Sequence, residues 1–268
     1  MLAYNGAWEL SDLRYPLAVT PKLDGIRCLI QNGRTWTRDN KDIPSRRIRA
    51  LLENKPELEF CDGEIVIPGA TFHETQSIIM TVNAKIPDNL QYIVFDYFGE
   101  PQLGYTKRYN HYLFNKSFNT LTPVLVDNEK QLKMTLEENK NYEGSIIRCP
   151  TAPYKFGRST LKELGMIKYV KWETDEAVVI KVKQLVENSD PSTYRQANLR
   201  VLNLCGSLVV KHLTFGEFNL GVPSWNLQKE FWKKKPIDEI VTFKYKPYGT
   251  KDKPRTPIFL GIRKDKIV

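Results

Sequence analysis

Hydrophobic and polar positions alternate with a period of two along several stretches of this chain and take helical spacing along others. In "RCLIQNGRTWTR" (27–38) the alternation runs up to and away from an Asn-Gly pair, which predicts a β-hairpin with a two-residue turn. "RRIRALLENK" (46–55) places its apolar residues at helical intervals. "LQYIVFDYF" (90–98) and "GSIIRC" (144–149) are short, apolar and β-branched, as in strands that fill a sheet interior. Sheets with helices packed outside them make an α+β domain of residues 1–172. From about residue 173 the pattern changes. "EAVVIKVKQLV", "LRVLNLCGSLVVKHLTF", "IVTFKYKPY" and "IFLGIR" are β-rich, and "WNLQKEFWKKK" (225–235) has the spacing of one helix. Several short strands and one helix in 173–268 predict a second, smaller domain, a barrel of OB-fold size.

Composition narrows the classes. The chain has 268 residues, 41% hydrophobic and 26% charged, which is globular composition with room for two domains. No apolar run approaches the ~18 residues of a membrane span. "MLAYNGAWEL" lacks a basic region ahead of an apolar one, so a cytoplasmic protein without a signal peptide is expected. Cys28, Cys61, Cys149 and Cys205 lie far apart, against a zinc ribbon or a disulfide framework. "HETQS" lacks the second histidine of a metalloprotease helix, and no G-x-S-x-G elbow occurs.

Charge changes the picture further. The formal net charge is +9 and it is uneven: 17 Lys and Arg stand against 11 Asp and Glu from residue 173 onward, and 23 against 20 before it. A basic second domain suits either a solvated face or a polyanionic partner held through its phosphates.

The candidate chemistry begins at "TPKLDGIR" (20–27), where Lys22 precedes an Asp-Gly and Arg27. It continues through "TRDNKDIP" (37–44), "DGEIVIPGATF" (62–72), "YIVFDYF" (92–98), "EGSIIR" (143–148), "YKFGRSTLKE" (154–163), "MIKYVKWETDEA" (166–177) and "KYKPYGTKDKPRTPIFLGIR" (244–263). A solvated turn explains any one of these alone. Together and in this order they resemble the motifs of the covalent nucleotidyltransferase superfamily, which contains ATP-dependent DNA ligases, RNA ligases and mRNA capping enzymes. "TPKLDGIR", "GATF", "KFGRSTLKE" and "PIFLGIR" resemble most the minimal, viral type of DNA ligase. The likeness covers nearly the whole chain. It implies a nucleotidyltransferase (adenylation) domain of antiparallel sheets flanked by helices, followed by the OB-fold domain.

The same resemblance assigns roles. Lys22 is the nucleophile that takes AMP from ATP as a lysyl-phosphoramidate. A free lysine with a pKa near 10.4 is neutral in only ~10⁻³ of molecules near neutrality, a handicap of roughly 4 kcal/mol. Arg27, Lys168 and a metal ion are candidate cations to offset it. Glu64 and Glu143, with Asp24 beside them, are the candidate ligands of Mg²⁺ (or Mn²⁺), Glu64 also for the ribose hydroxyls. Asp24 and Asp62 serve equally as turn residues before glycine. Phe95 is the candidate platform for adenine, with a core role as the alternative, and Tyr97, of the same parity along the strand, is its substitute. Arg38, Arg158, Lys168 and Lys171 supply positive charge for phosphate. Arg38 and Arg158 are also carried over as contacts to DNA at the nick 5′-phosphate, and Lys168 as a contact to the α-phosphate. Asp252, Arg255 and Lys264 fall in the element that orients pyrophosphate.

Two departures from the pattern stand out. The usual Lys-x-Lys reads Lys168-Tyr-Val-Lys171 here, and Thr256 replaces an aromatic after Pro-Arg. Segment 187–207 looks shorter than the DNA-wrapping insertion of the viral relatives. Tyr194, Arg195 and Arg200 reach backbone phosphates there, or else the segment is a plain connection.

An NAD-dependent ligase needs a nicotinamide domain ahead of its lysine. Only 21 residues precede Lys22, so ATP is the expected cofactor, acting on nicked duplex DNA in a monomer without membrane contact. The alternatives are an RNA ligase or guanylyltransferase-like enzyme of the same superfamily, or a nucleic-acid-binding module that has lost catalysis.

Overall fold

The structure, a computed structural model, describes residues 1–113, 119–188, 199–247 and 252–263. It divides into two units, Met1–Val170 and Lys171–Val268. In the first unit the chain runs β1 (Leu17–Lys22), β2 (Ile26–Gln31), β3 (Arg34–Thr37), α1 (Arg46–Leu52), β4 (Cys61–Val66), α2 (Phe72–Met80) and β5 (Gln91–Tyr97). It continues through α3 (Tyr105–Leu113), β6 (Asn119–Thr120), β7 (Val124–Val126), α4 (Glu129–Glu138), β8 (Gly144–Arg148) and β9 (Ile167–Tyr169).

Two sheets result, ordered β7-β1-β8-β9 and β3-β2-β4-β5-β6. Among the described strands of these sheets the ladders are antiparallel except β5 with β6, and isolated parallel bridges join Leu2 to Arg158 and Tyr4 to Ile167, so the expectation of antiparallel sheets holds for all but these edges. The hairpin of β2 and β3 turns at Asn32 and Gly33 with φ of 54° and 69°, the left-handed pair that Asn-Gly adopts at least cost. Ser45 caps α1 and a Thr71–Glu74 capping box opens α2.

Each sheet buries one face under helices. Cys28, Ile30, Ile48, Ile65, Ile79 and Val94 form one core, and Leu17, Val19, Leu132, Ile147 and Ile167 another. A third cluster joins the remaining faces: Met1, Phe98, Tyr154 and Met166, with Leu29 and Phe95 from one sheet and Ile146 from the other. Consecutive strands β1 and β2 belong to different sheets. The Lys-x-Asp-Gly segment is therefore the passage from one sheet to the other, and it places Lys22 and Arg27 on facing strands.

The second unit contains β10 (Glu173–Asn188), β11 (Leu199–His212), β12 (Gly216–Gly221), α5 (Trp225–Lys233), β13 (Ile240–Lys246) and β14 (Arg255–Ile262). Its strands close into a barrel in the order β10-β11-β12-β14-β13 around Val179, Leu208, Val210, Leu220, Val241 and Phe243. The strands are not all short, as the sequence suggested. β10 and β11 span 16 and 14 residues, and three register shifts between them bend the pair. Where described, segment 187–207 is ladder rather than loop, with Val186, Glu187 and Asn188 opposite Val201, Arg200 and Leu199.

Candidate active site

Lys22 ends β1 and lies opposite Gly144, the first residue of β8. That register brings the Lys22 ammonium onto the Glu143 carboxylate, to which it donates a hydrogen bond. Glu143 is buried, whereas about a quarter of the Lys22 side chain reaches solvent. Two glycines permit the arrangement. A Cβ at Gly144 would lie 2.1 Å from the Tyr169 carbonyl oxygen, and one at Gly25 would lie 2.3 Å from that of Ile65. The glycines of Asp-Gly and Glu-Gly are therefore demanded by close backbone approach. Cations are expected beside Lys22, and the contact found there is the Glu143 carboxylate.

On the facing sheet, Arg27 of β2 and Asp62 and Glu64 of β4 project to the same side, with Arg27 paired to Glu64 across the strands. Arg27 Nε donates to Asp62 Oδ1 at 2.8 Å and its terminal nitrogen to Oδ2 at 2.5 Å. The Tyr154 hydroxyl donates to the same Oδ2 at 2.7 Å. Burial alone would raise the Asp62 carboxyl, but the Arg27 guanidinium and the tyrosine hydroxyl hold it below the usual carboxylate range. Glu64 is in the opposite state. Burial pushes it up to about 7, and the attraction of Lys22 and Arg27 does not cancel that rise.

Phe95 sits where the register of β4 and β5 shifts: Asp62 faces Asp96 and Gly63 faces Val94. The extra residue reverses the alternation beyond it. Phe95 packs into the third cluster, with the Arg27 and Arg148 guanidinium carbons 5.7 and 5.6 Å from its ring centre. Tyr97 instead packs on the first core and stacks on His111 at 4.5 Å. The expectation that Tyr97 could substitute for Phe95 is therefore corrected: strand parity fails across the shift.

Below Phe95 lies a group that the sequence did not signal. Arg108 Nε donates to Asp96 Oδ1 at 2.8 Å, and Arg148 pairs with the other Asp96 oxygen. All three side chains are buried. Tyr154 was also missed as a site residue, although it lies inside the quoted "YKFGRS" stretch.

The remaining candidates divide by location. Lys168 of β9 aligns with Ile146 and, through it, with Thr20, two residues before Lys22, so Lys168 and Lys22 share a face. Arg158 donates to the Ala3 carbonyl oxygen at 2.7 Å. Arg38 is exposed on the turn after β3, with Nε 3.5 Å from Asp39. Asp24 occupies the passage between β1 and β2. Lys171, Arg200, Asp252 and Arg255 belong to the second unit, Arg200 opposite Glu187 and Arg255 opposite Lys246. Tyr194, Arg195 and Lys264 lie outside the described residues.

Among the described residues no group of three or more His, Cys, Asp or Glu side chains could hold a metal ion. Glu64 and Glu143 provide two carboxylates near Lys22, which suits Mg²⁺: it commonly takes one or two protein carboxylates and completes its shell with water and substrate phosphate. No helix among the described residues is long and apolar enough to cross a membrane.

Comparison with known proteins adds three findings. Residues 198–263 match the family model of the DNA ligase OB-like domain. A Chlorella virus DNA ligase-adenylate structure is 32% identical over 99% of this chain and 98% of its own, with a TM-score of 0.56. A structure from a study of Lig E DNA ligases is 23% identical, covers 98% of both chains and has a TM-score of 0.73, a likeness of fold. No curated protein sequence matches the chain.

Proposed function

The chain belongs to the family of the Chlorella virus DNA ligase and is a DNA ligase, and on that premise we propose that it uses ATP to seal 3′-hydroxyl/5′-phosphate nicks in duplex DNA. The observation that carries the reading is the Lys22–Glu143 ion pair beside Glu64 and the Arg27–Asp62 pair. A lysine paired with a buried carboxylate, a second buried carboxylate pushed toward neutrality and an aromatic ring between two guanidinium groups support it.

In the first step the Lys22 nitrogen lone pair attacks the α-phosphorus of ATP. The phosphorus–nitrogen bond forms, the bond to the bridging oxygen breaks and pyrophosphate leaves; of the three ammonium protons two pass to solvent, one before the attack and one with bond formation, and one stays on the phosphoramidate nitrogen. Glu143, already hydrogen-bonded to Lys22, is placed to hold the ammonium until substrate arrives. Phe95, backed by Arg27 and Arg148, offers a fixed face for adenine. Lys168 balances charge on the α-phosphate, Lys171 adds positive charge for phosphate, and Arg255 acts toward pyrophosphate. When bound, a divalent cation supplies electrostatic stabilisation of the phosphates, held by Glu64 and Glu143, with Asp24 as a further candidate.

In the second step an oxygen of the DNA 5′-phosphate attacks the AMP phosphorus and the phosphorus–nitrogen bond breaks, returning Lys22 to an amine. In the third, the 3′-hydroxyl oxygen attacks the 5′-phosphorus, a phosphodiester forms and AMP leaves. Arg158 and Arg38 are the proposed phosphate contacts, and Arg200, with Tyr194 and Arg195, contacts backbone from the second unit. The basic charge of that unit favours duplex phosphates without reading sequence. The working form is a monomer.

Intact mass after incubation with ATP and Mg²⁺ tests the first step: one AMP is added to the wild type and none to Lys22→Ala. Sealing assays on nicked DNA, a nicked DNA–RNA hybrid and single-stranded RNA then test the substrate. Preference for single-stranded RNA would replace this reading with that of an RNA ligase.

A further inference from the structure

Phe156 is the most exposed aromatic side chain among the described residues, at 72%. An isolated exposed apolar residue needs no function, but this one is held in a particular way. Its ring packs on Tyr154 with centroids 5.3 Å apart and edge-on to Phe98 at 6.2 Å. Tyr154 in turn donates its hydroxyl to Asp62. The three rings form a ladder from the buried carboxylate of the site out to solvent.

The backbone carrying the ring is fixed on both sides. Tyr154 N donates to the Pro101 carbonyl oxygen at 2.8 Å, and Leu2 N donates to that of Gly157 at 2.6 Å. Ser159 N donates to the Leu2 carbonyl oxygen at 2.8 Å. The flanking Lys155 is held by both oxygens of Glu163, at 2.8 and 2.9 Å. Two residues beyond the ring stands Arg158, the proposed ligand of the nick 5′-phosphate. A free loop gains by turning a phenyl ring inward to bury it. Here the backbone pins it outward beside a phosphate contact.

We propose that Phe156 is a nucleotide-binding residue that packs its exposed face against the terminal nucleotide on the 5′-phosphate side of the nick. Arg158 contributes charge and Phe156 contributes apolar contact area, so that a duplex end is held by both kinds of force. This rests on the DNA ligase reading and adds to it a residue for which motif matching gave no role. The contact needs no base identity, in keeping with a partner recognised through its backbone and end.

The experiment measures KM for nicked DNA across a salt series. Phe156→Ala should raise KM about tenfold at every salt concentration, as loss of a half-buried ring predicts, and leave the slope of log KM against log salt as in the wild type. Arg158→Ala should lower that slope by about one phosphate contact. Phe156→Trp should restore most of the loss. A wild-type KM in Phe156→Ala, or a changed salt slope, overturns the proposal, as does a more than twofold change in its rate of lysyl-AMP formation. For a readout independent of any variant, a nicked duplex with 5-iodouracil as the first nucleotide on the 5′-phosphate side is irradiated with the wild-type protein. The crosslink is expected at Phe156, and a crosslink confined to other peptides overturns the assignment. If the wild type takes up no AMP and seals nothing, the ligase reading itself fails, an outcome distinct from each of these.

Discussion

Two carboxylates in the first unit hold cationic side chains in opposite ways. Asp96 accepts from both Arg108 and Arg148, and all three side chains are withdrawn from water. Glu143 accepts from Lys22, whose side chain remains 26% exposed. Desolvation makes the first group hard to open, because removing any member strands a buried charge. Solvent at the second lowers the cost of separating its ions. The difference teaches where this molecule can afford motion: a locked group sits under Phe95, and a more openable pair sits at Lys22, the proposed nucleophile.

Substitutions on the two sides should diverge accordingly. Lys22→Ala should lower AMP incorporation at least roughly 10³-fold, read by intact mass, and cost about 1.5–3 kcal/mol of unfolding free energy, the loss of one charged hydrogen bond to the buried Glu143. Asp96→Ala should do the reverse. Two buried guanidinium groups lose their partner, and urea denaturation should report a loss of about 3–5 kcal/mol. A stable Asp96→Ala protein would dissolve the contrast.

Asp62 sharpens the comparison through pH. Its carboxyl is held low in the folded state by Arg27 and the Tyr154 hydroxyl against the effect of burial. Its contribution is therefore present above the unfolded carboxylate pKa of about 3.9 and is lost as the pH falls through the lower folded value. Asp62→Asn should cost about 3 kcal/mol near neutrality. Its deficit relative to the wild type should be constant above about pH 5 and shrink below about pH 4, measured by urea midpoints at each pH. A deficit that stays constant down to pH 2 would separate Asp62 stability from its charge. The smallest effect is expected at Arg38, which is two-thirds exposed and only 3.5 Å from its own sequence neighbour Asp39. Arg38→Ala should leave stability within about 0.5 kcal/mol while raising KM for nicked DNA a few-fold.

Much of the architecture was legible because it follows from local rules. Asn32-Gly33 sets a hairpin turn, and the apolar spacing of 46–55 gives a helix that the structure has at Arg46–Leu52. The barrel could be expected from β-rich segments flanking one amphipathic helix, but the lengths of β10 and β11 could not. Their bends are register shifts, visible only once partner strands are aligned. For the candidate site the sequence offered residue types in order, Lys22, Glu64, Glu143 and Lys168, and the register of the strands puts Lys168 on the face of Lys22. Tyr97 was misjudged because the extra residue at Phe95 breaks the parity that a strand pattern assumes. Tyr154 and Arg108 left no trace in spacing, since their partners Asp62 and Asp96 are 92 and 12 residues away.

The amino-acid sequence by itself determined which chemistry is available: a lysine before Asp-Gly, acidic residues before and after glycines, an arginine beside an aromatic, and a basic stretch from residue 173 onward. These are properties of residue type and near neighbours, which the chain carries in any conformation. Only the tertiary structure decided which charge each group meets, because pairing and desolvation depend on strands brought together from distant positions. Thus Lys22 meets Glu143, Asp62 is held ionised, Glu64 is pushed toward neutrality, and Phe156 is left facing water.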